Sequence, residues 1–319
     1  MDPKAADNLN LLRLGLAALA AGFILTSLPW IYVGLPVAAL ALGWIAYRNG
    51  WLASSAVALF AAVLVAAVGP RLGLDRMDAG FVGVALLAVG PGTAMAIRRY
   101  SPGSVVFAVG LVLAAVFFVS PAGTNALTGL MADMRTVFST GVFNPQGADR
   151  QQIAQLSEQF AQYVALVWPA IAFGLMGLCA LITVPLVAIM GRRQGVEVRR
   201  FTPLAEMDAS FHLVWPTIAG LALLAAGTYV AHGKGWMIAV GLNALLIVRP
   251  ALVAQGLGDF AALYRRLHLG RIARGIGYTS LLLAESILPS TSVLGLVDLF
   301  FNLRRLPRGE PTPPATGDI

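Results

Sequence analysis

Long apolar runs separated by short polar connections dominate this chain. They cover 10–28, 30–47, 51–69, 79–97, 103–120, 163–190, 212–231 and 235–263. Each is close to the roughly 20 residues that a helix needs to cross a bilayer. The runs are continuous, not alternating, which excludes a β-barrel. Turn formers punctuate them: Ser27-Leu28-Pro29-Trp30, Gly69-Pro70 and Ser120-Pro121. The pattern predicts an all-α fold, a polytopic transmembrane helical bundle of about eight full spans.

Two regions depart from that rhythm. Residues 121–162 are more polar, and within them 149–162 places Ile153, Leu156 and Phe160 at spacings of three and four. That spacing predicts an amphipathic helix lying on the membrane surface or on the bundle. The last apolar region, 276–302, is broken by Pro289-Ser290-Thr291-Ser292. Each arm is about 13 residues, roughly 20 Å at helical rise, and too short to cross alone. A C-terminal broken helix or hairpin is therefore expected over one straight span. Residues 1–305 read as an integral-membrane domain, with a five-span half at 10–120, the polar segment at 121–162 and a C-terminal half at 163–305. The Pro-rich tail 306–319 reads as disordered.

Composition sharpens the picture. The 319 residues are 58% hydrophobic and 12% charged, with a net charge of +7. The positive charge sits mostly in short connections: Arg48, Arg98-Arg99, Arg192-Arg193-Arg199-Arg200 and Arg265-Arg266-Arg271-Arg274. These fall at every second connection. The pattern expects a cytoplasmic N-terminus, and the hairpin would return Arg304-Arg305-Arg308 to that side. Charge so placed suits topology and anionic headgroups, so no nucleic-acid partner is expected and membrane lipids are. The first run reads as a retained span, not a cleaved leader. Arg exceeds Lys, and Ala and Gly are abundant, which suits a GC-rich bacterial source and an inner-membrane location. Cys179 is single and lies in an apolar run, and His212, His232 and His268 are scattered. Neither pattern supports a metal site or a disulfide framework, and no cofactor is expected.

Ionisable groups inside apolar spans are costly and default to paired or functional roles. The C-terminal half concentrates them: Asn243, Arg249, Gln255, Asp259, Glu285 and Asp298. Arg249 lies mid-span before Pro250. It reads either as an internal ion pair with Glu285 or Asp259, or as a contact for an anionic substrate or headgroup. Asp259 is one turn beyond Gln255 and near Arg265-Arg266, so simple pairing is the plain alternative. Asp298 stands in the same relation to Arg304 and Arg305. Glu285 reads as a proton or cation site, or as a group that caps or pairs with a neighbouring helix. The candidate substrate-binding set is Asn243, Arg249, Gln255, Asp259 and Glu285. The candidate structural ion-pair set is Asp298, Arg304 and Arg305. Gly256-Leu257-Gly258-Asp259 spells the Gly-x-Gly-Asp element of intramembrane aspartyl proteases. Such chemistry needs two carboxylates sharing a proton, and no earlier span here contains an Asp. No other catalytic motif is present, so a non-enzymatic protein is expected.

Trp215-Pro216 opening a span, Asn243 in the next, Gln255-Gly256, and Gly295-Leu296-Val297-Asp298-Leu299-Phe300-Phe301-Asn302-Leu303-Arg304-Arg305 together carry a resemblance. Over roughly 200–305 the chain resembles the YybS-like family of bacterial polytopic membrane proteins, domain of unknown function 2232. Family members often carry a second acidic residue where this chain has Asn302. In hydropathy the family is similar to the substrate-binding subunits of energy-coupling-factor vitamin importers and to membrane partners of cell-shape machinery. The resemblance implies docking of a coupling subunit through small residues four apart on the first span. Ala17 and Ala21 have that spacing, beside Gly15 and Gly22. The sequence thus points to a transporter-like protein binding a small solute or lipid, alone or with protein subunits in the membrane. A membrane scaffold or assembly partner is the alternative.

Overall fold

The structure is a computed structural model. It describes residues 31–68, 76–139, 150–198, 202–230 and 235–306, with residues 10, 13–18, 20, 22 and 71. Of the expected first span only residues 10, 13–18, 20 and 22 are described, all of them helical, while Ala21 and most of the expected disordered tail lie outside the described residues. Among the described residues there is no strand, and the fold is an all-α polytopic bundle. Six helices there are long and apolar enough to cross a membrane, or seven if one bent pair counts as a single span. The chain forms two compact units, Met1–Phe201 and Thr202–Ile319.

In the first unit, α1 (Ile31–Asn49) and α2 (Trp51–Val68) are followed by α3 (Arg76–Leu87), a π-helical turn at Ala88–Gly92 and α4 (Thr93–Arg99). Pro91, inside that turn, has no N–H to return to the Leu87 carbonyl, and the helix relaxes to wider bonding. The Thr93 hydroxyl donates to the Ala88 carbonyl at 2.9 Å. Next come α5 (Pro102–Val119), α6 (Pro121–Ser139) and α7 (Arg150–Arg193). Leu35, Leu42, Ile45, Leu86, Leu113, Phe117 and Met176 form the buried core. The outward faces stay apolar: Leu52, Phe60 and Val63 of α2 are exposed. In lipid such exposure costs nothing, and association rests on packing. Gly110 of α5 supplies it. A Cβ there would stand 3.1 Å from the Gly177 Cα of α7.

Two expectations are corrected in this unit. The segment after Ser120 is not simply polar connection: α6 starts at once. Ser120 caps it, with Gly123 N–H donating to the Ser120 hydroxyl at 3.2 Å, and Pro121 occupies the first helical position, where a missing N–H costs nothing. The amphipathic helix expected at 149–162, on the membrane surface or on the bundle, forms from Arg150 but does not end at residue 162. It is the start of α7, whose 44 residues extend about 66 Å at 1.5 Å per residue. That is about twice the 30 Å hydrocarbon thickness. A division near residue 162 therefore falls inside a helix. The units part after residue 201 because α7 packs along α5 and α1 throughout.

The second unit is built from short 3₁₀ turns at Leu204–Glu206 and Phe211–Leu213, then α8 (Val214–Ala225) with a π-helical continuation at Ala226–Val230. It continues with α9 (Gly235–Arg266), α10 (Arg271–Ile287) and α11 (Ser290–Phe301). Gly220 and Gly241 let α8 and α9 touch backbone to backbone. A Cβ on Gly241 would lie 2.7 Å from the Gly220 carbonyl oxygen. The break at Pro289 holds: α10 and α11 meet at 100°. α10 turns Ile272, Ile276, Leu283 and Ile287 outward and buries Glu285. α11 crosses α9 where Gly295 meets the Leu252 carbonyl and Gly256 meets the Thr291 carbonyl, with no room for a Cβ on either glycine. Asn302 closes α11 in the left-handed conformation, φ 46°. Its amide exchanges bonds with Leu306, donating to that carbonyl at 2.7 Å and accepting from that N–H at 2.8 Å. Asn tolerates this conformation, which gives position 302 a backbone role.

Candidate functional site

The sequence-predicted residues do not form one site. α9 carries Arg249, Gln255 and Asp259 along one helix, and the structure divides them between two polar centres. Residues 249 and 259 stand about 15 Å apart by helical rise.

The first centre joins α9 to the bend between α10 and α11. Arg249 Nε and Glu285 Oε1 lie 2.9 Å apart. A second guanidinium nitrogen, Nη2, donates to the Glu285 backbone carbonyl. The other Glu285 oxygen accepts from the N–H groups of Thr291 at 2.8 Å and Ser292 at 3.2 Å. The Ser292 hydroxyl donates to Glu285 Oε1. Glu285 thus caps α11 from the preceding helix. A carboxylate placed there satisfies orphan amides and meets the positive end of the helix dipole. The sequence marked Glu285 as a candidate site residue and Ser292 only as part of the helix break. The signal for Ser292 was the Pro-Ser-Thr-Ser run, a cluster of capping residues.

Arg249 also borders an open groove of about 480 Å³. Its walls are Leu246, Pro250, Val253, Leu257 and Leu282, with Ser286 beside them.

The second centre pins the end of α11. Arg304 is buried and sits between two carboxylates: Nη2 to Asp298 Oδ2 at 2.8 Å and Nε to Asp259 Oδ1 at 2.9 Å. Its Nη1 donates to the carbonyls of Met207 at 2.7 Å and Ala205 at 3.3 Å. Gln255, fully buried, donates to Asp298 at 2.7 Å and Asp208 at 3.0 Å, and accepts from the Ala209 N–H at 2.8 Å. Leu303 N–H completes Asp298 at 2.6 Å. The expected pairing of Asp259 with Arg265 or Arg266 is replaced by Arg304, while Arg265 pairs with Glu206 at 2.9 Å. Arg305 takes a left-handed backbone, φ 56°, beside this centre. Asp208 was missed, because it lies in a polar loop with no periodicity to mark it.

The glycines of the Gly-x-Gly-Asp element have a packing explanation. Gly256 admits the α11 backbone, and Gly258 leaves space for the Arg304 guanidinium and the Leu204 carbonyl. Asn243 donates to Ala239 O of its own helix at 2.8 Å, about 9 Å of rise from Arg249. Among the described residues no group of three His, Cys, Asp or Glu side chains is placed to hold a metal ion.

An all-α membrane bundle with paired charges inside its C-terminal unit defines a multi-pass integral membrane protein. A family model described as "Predicted membrane protein (DUF2232)" matches residues 16–299. The chain belongs to that family. No curated protein and no solved structure matches it.

Proposed function

We propose that this is a non-catalytic, transporter-like membrane protein that binds or moves a small solute or lipid at the groove beside Arg249. The observation that carries this reading is a guanidinium, about one-third exposed, opening onto a depression walled mainly by apolar side chains. Ligand sites of this kind combine apolar walls with a few convergent polar groups. Bent helices with capped ends near mid-depth are also the usual setting of transporter sites. Glu285 orients Arg249, and Gln255 and Asp259 act one step away by holding α11 in place, with Asn243 further along the same helix. The chain has no nucleotide-binding element, so transport would draw on an ion gradient or on partner subunits. The reading extends to a YybS-like protein resembling the substrate-binding subunits of energy-coupling-factor importers. It also takes in a bacterial inner-membrane setting with both termini cytoplasmic, which the Arg-rich connections support. The test is purification of the full chain in mild detergent and identification of co-purifying small molecules and lipids, wild type against Arg249→Ala. A ligand lost with Arg249 is expected, and identical profiles would end the proposal.

A scaffold role has its own support. Asp298, Arg304 and Glu285 are buried and all ion-paired or hydrogen-bonded, as a rigid assembly partner requires. Co-purification of a stoichiometric membrane protein, with no small ligand, would favour it.

A further inference from the structure

The groove presents its ion pair unevenly. The Glu285 side chain is 7% exposed and that of Arg249 34%. Both Glu285 oxygens are turned into the start of α11, onto Thr291 and Ser292. A pair that is neutral overall therefore shows the groove its positive half. Nε and Nη2 of Arg249 are engaged by Glu285, while Nη1 makes no hydrogen bond to the described residues. Pro250 lacks the N–H that would reach the Leu246 carbonyl, so that carbonyl is without its usual helical donor.

The walls decide the rest. A hydrated solute entering here would exchange its water for one guanidinium nitrogen and the Ser286 hydroxyl, which already donates to the Leu282 carbonyl at 3.1 Å, and most of its polar groups would stay unpaired. An acyl chain loses nothing against Leu246, Val253 and Leu257. Arginine is also the side chain suited to a phosphate diester, through charge-assisted bonds. Arg249 stands 14 positions after Gly235 and 17 before Arg266, roughly 21 and 25 Å from the helix ends.

We infer that the groove holds an anionic phospholipid, with its phosphate on Nη1 of Arg249 near the middle of α9 and an acyl chain along the apolar wall. This rests on the reading of the groove as the binding site and names its ligand class. A headgroup at that depth is between leaflets, which suits a protein that hands lipid across.

The experiment is native mass spectrometry of the detergent-solubilised full chain with three probes: dioleoyl phosphatidylglycerol, dioleoyl phosphatidylcholine and inorganic phosphate. The variants are Ala254→Trp, which adds bulk at a residue that also lines the groove and leaves Arg249 and Glu285 in place, and Arg249→Lys, which keeps a cation opposite Glu285. Thermal melting checks that both variants remain folded. Wild type is expected to retain phosphatidylglycerol about tenfold over phosphatidylcholine, equivalent to about 1.4 kcal/mol. Ala254→Trp should lose that preference and Arg249→Lys should weaken it several-fold. Equal retention of the two lipids, or a preference indifferent to Ala254→Trp, overturns the inference. Retention of inorganic phosphate that both variants abolish, without lipid preference, overturns the lipid class yet leaves the groove as the site. Indifference of every probe to both variants removes inference and site together.

Discussion

The two units solve the same solvent problem by opposite means. Among its described residues the first unit buries no charged side chain. Its buried polar groups are Ser54, Thr93, Ser120 and Thr183, each bonded to a nearby carbonyl. Apolar packing, with glycine where helices touch, is sufficient there. The second unit buries Glu285, Asp298 and Arg304 with Gln255. It spends ion pairs on holding two short helices, neither long enough to span, at a sharp bend. A straight spanning helix satisfies its own backbone. A broken one exposes amides and carbonyls at depth, and something polar must meet them. Glu285 meets the start of α11, and Arg304 meets the loop carbonyls of Ala205 and Met207. The difference shows that buried charge here follows backbone irregularity.

The largest expected effect is on the second unit. Arg304→Ala leaves Asp298 and Asp259 facing each other without their cation. Its expected cost is about 3–5 kcal/mol, read as a fall in melting temperature and as proteolysis confined to residues 202–306. If the first unit melted equally, the comparison would fail. Next is Gly295→Leu, which forces α11 off the Leu252 carbonyl. Overpacking of this kind costs about 1–3 kcal/mol, and the measurement is the accessibility of a cysteine placed at Ser292 in a Cys179→Ala background. In the first unit, Ser54→Ala removes a 2.7 Å bond to the Leu42 carbonyl and should cost about 1 kcal/mol, seen by the same melting assay. Arg135→Ala breaks an exposed pair with Glu158 and should change stability by less than about 1 kcal/mol.

Much of the fold was legible because lipid imposes a length rule. Runs of about 20 apolar residues are spans whatever their neighbours do, and Pro289 to Ser292 announced the break. Two features were readable and missed: Ser120-Pro121 is a helix start as much as a span end, and nothing between 150 and 193 stops a helix. Pro169 and Pro185 lie within α7 without ending it. The site was only partly legible. Composition gathered Arg249, Gln255, Asp259 and Glu285 into one cluster, but partners are chosen across the fold. Arg304 reaches back about a hundred positions to Ala205 and Met207, and periodicity within one helix carries no trace of that. Asp208 and Ser292 join through the same long-range closure.

A double-mutant cycle on Arg249 and Glu285 tests the central claim most directly, with melting of the purified full chain as the readout. If the two side chains meet inside the second unit, Arg249→Met and Glu285→Gln should each destabilise. The double variant should then recover by about 0.5–3 kcal/mol relative to their sum. Strict additivity would mean that the two groups do not interact, and it would contradict the account of this unit.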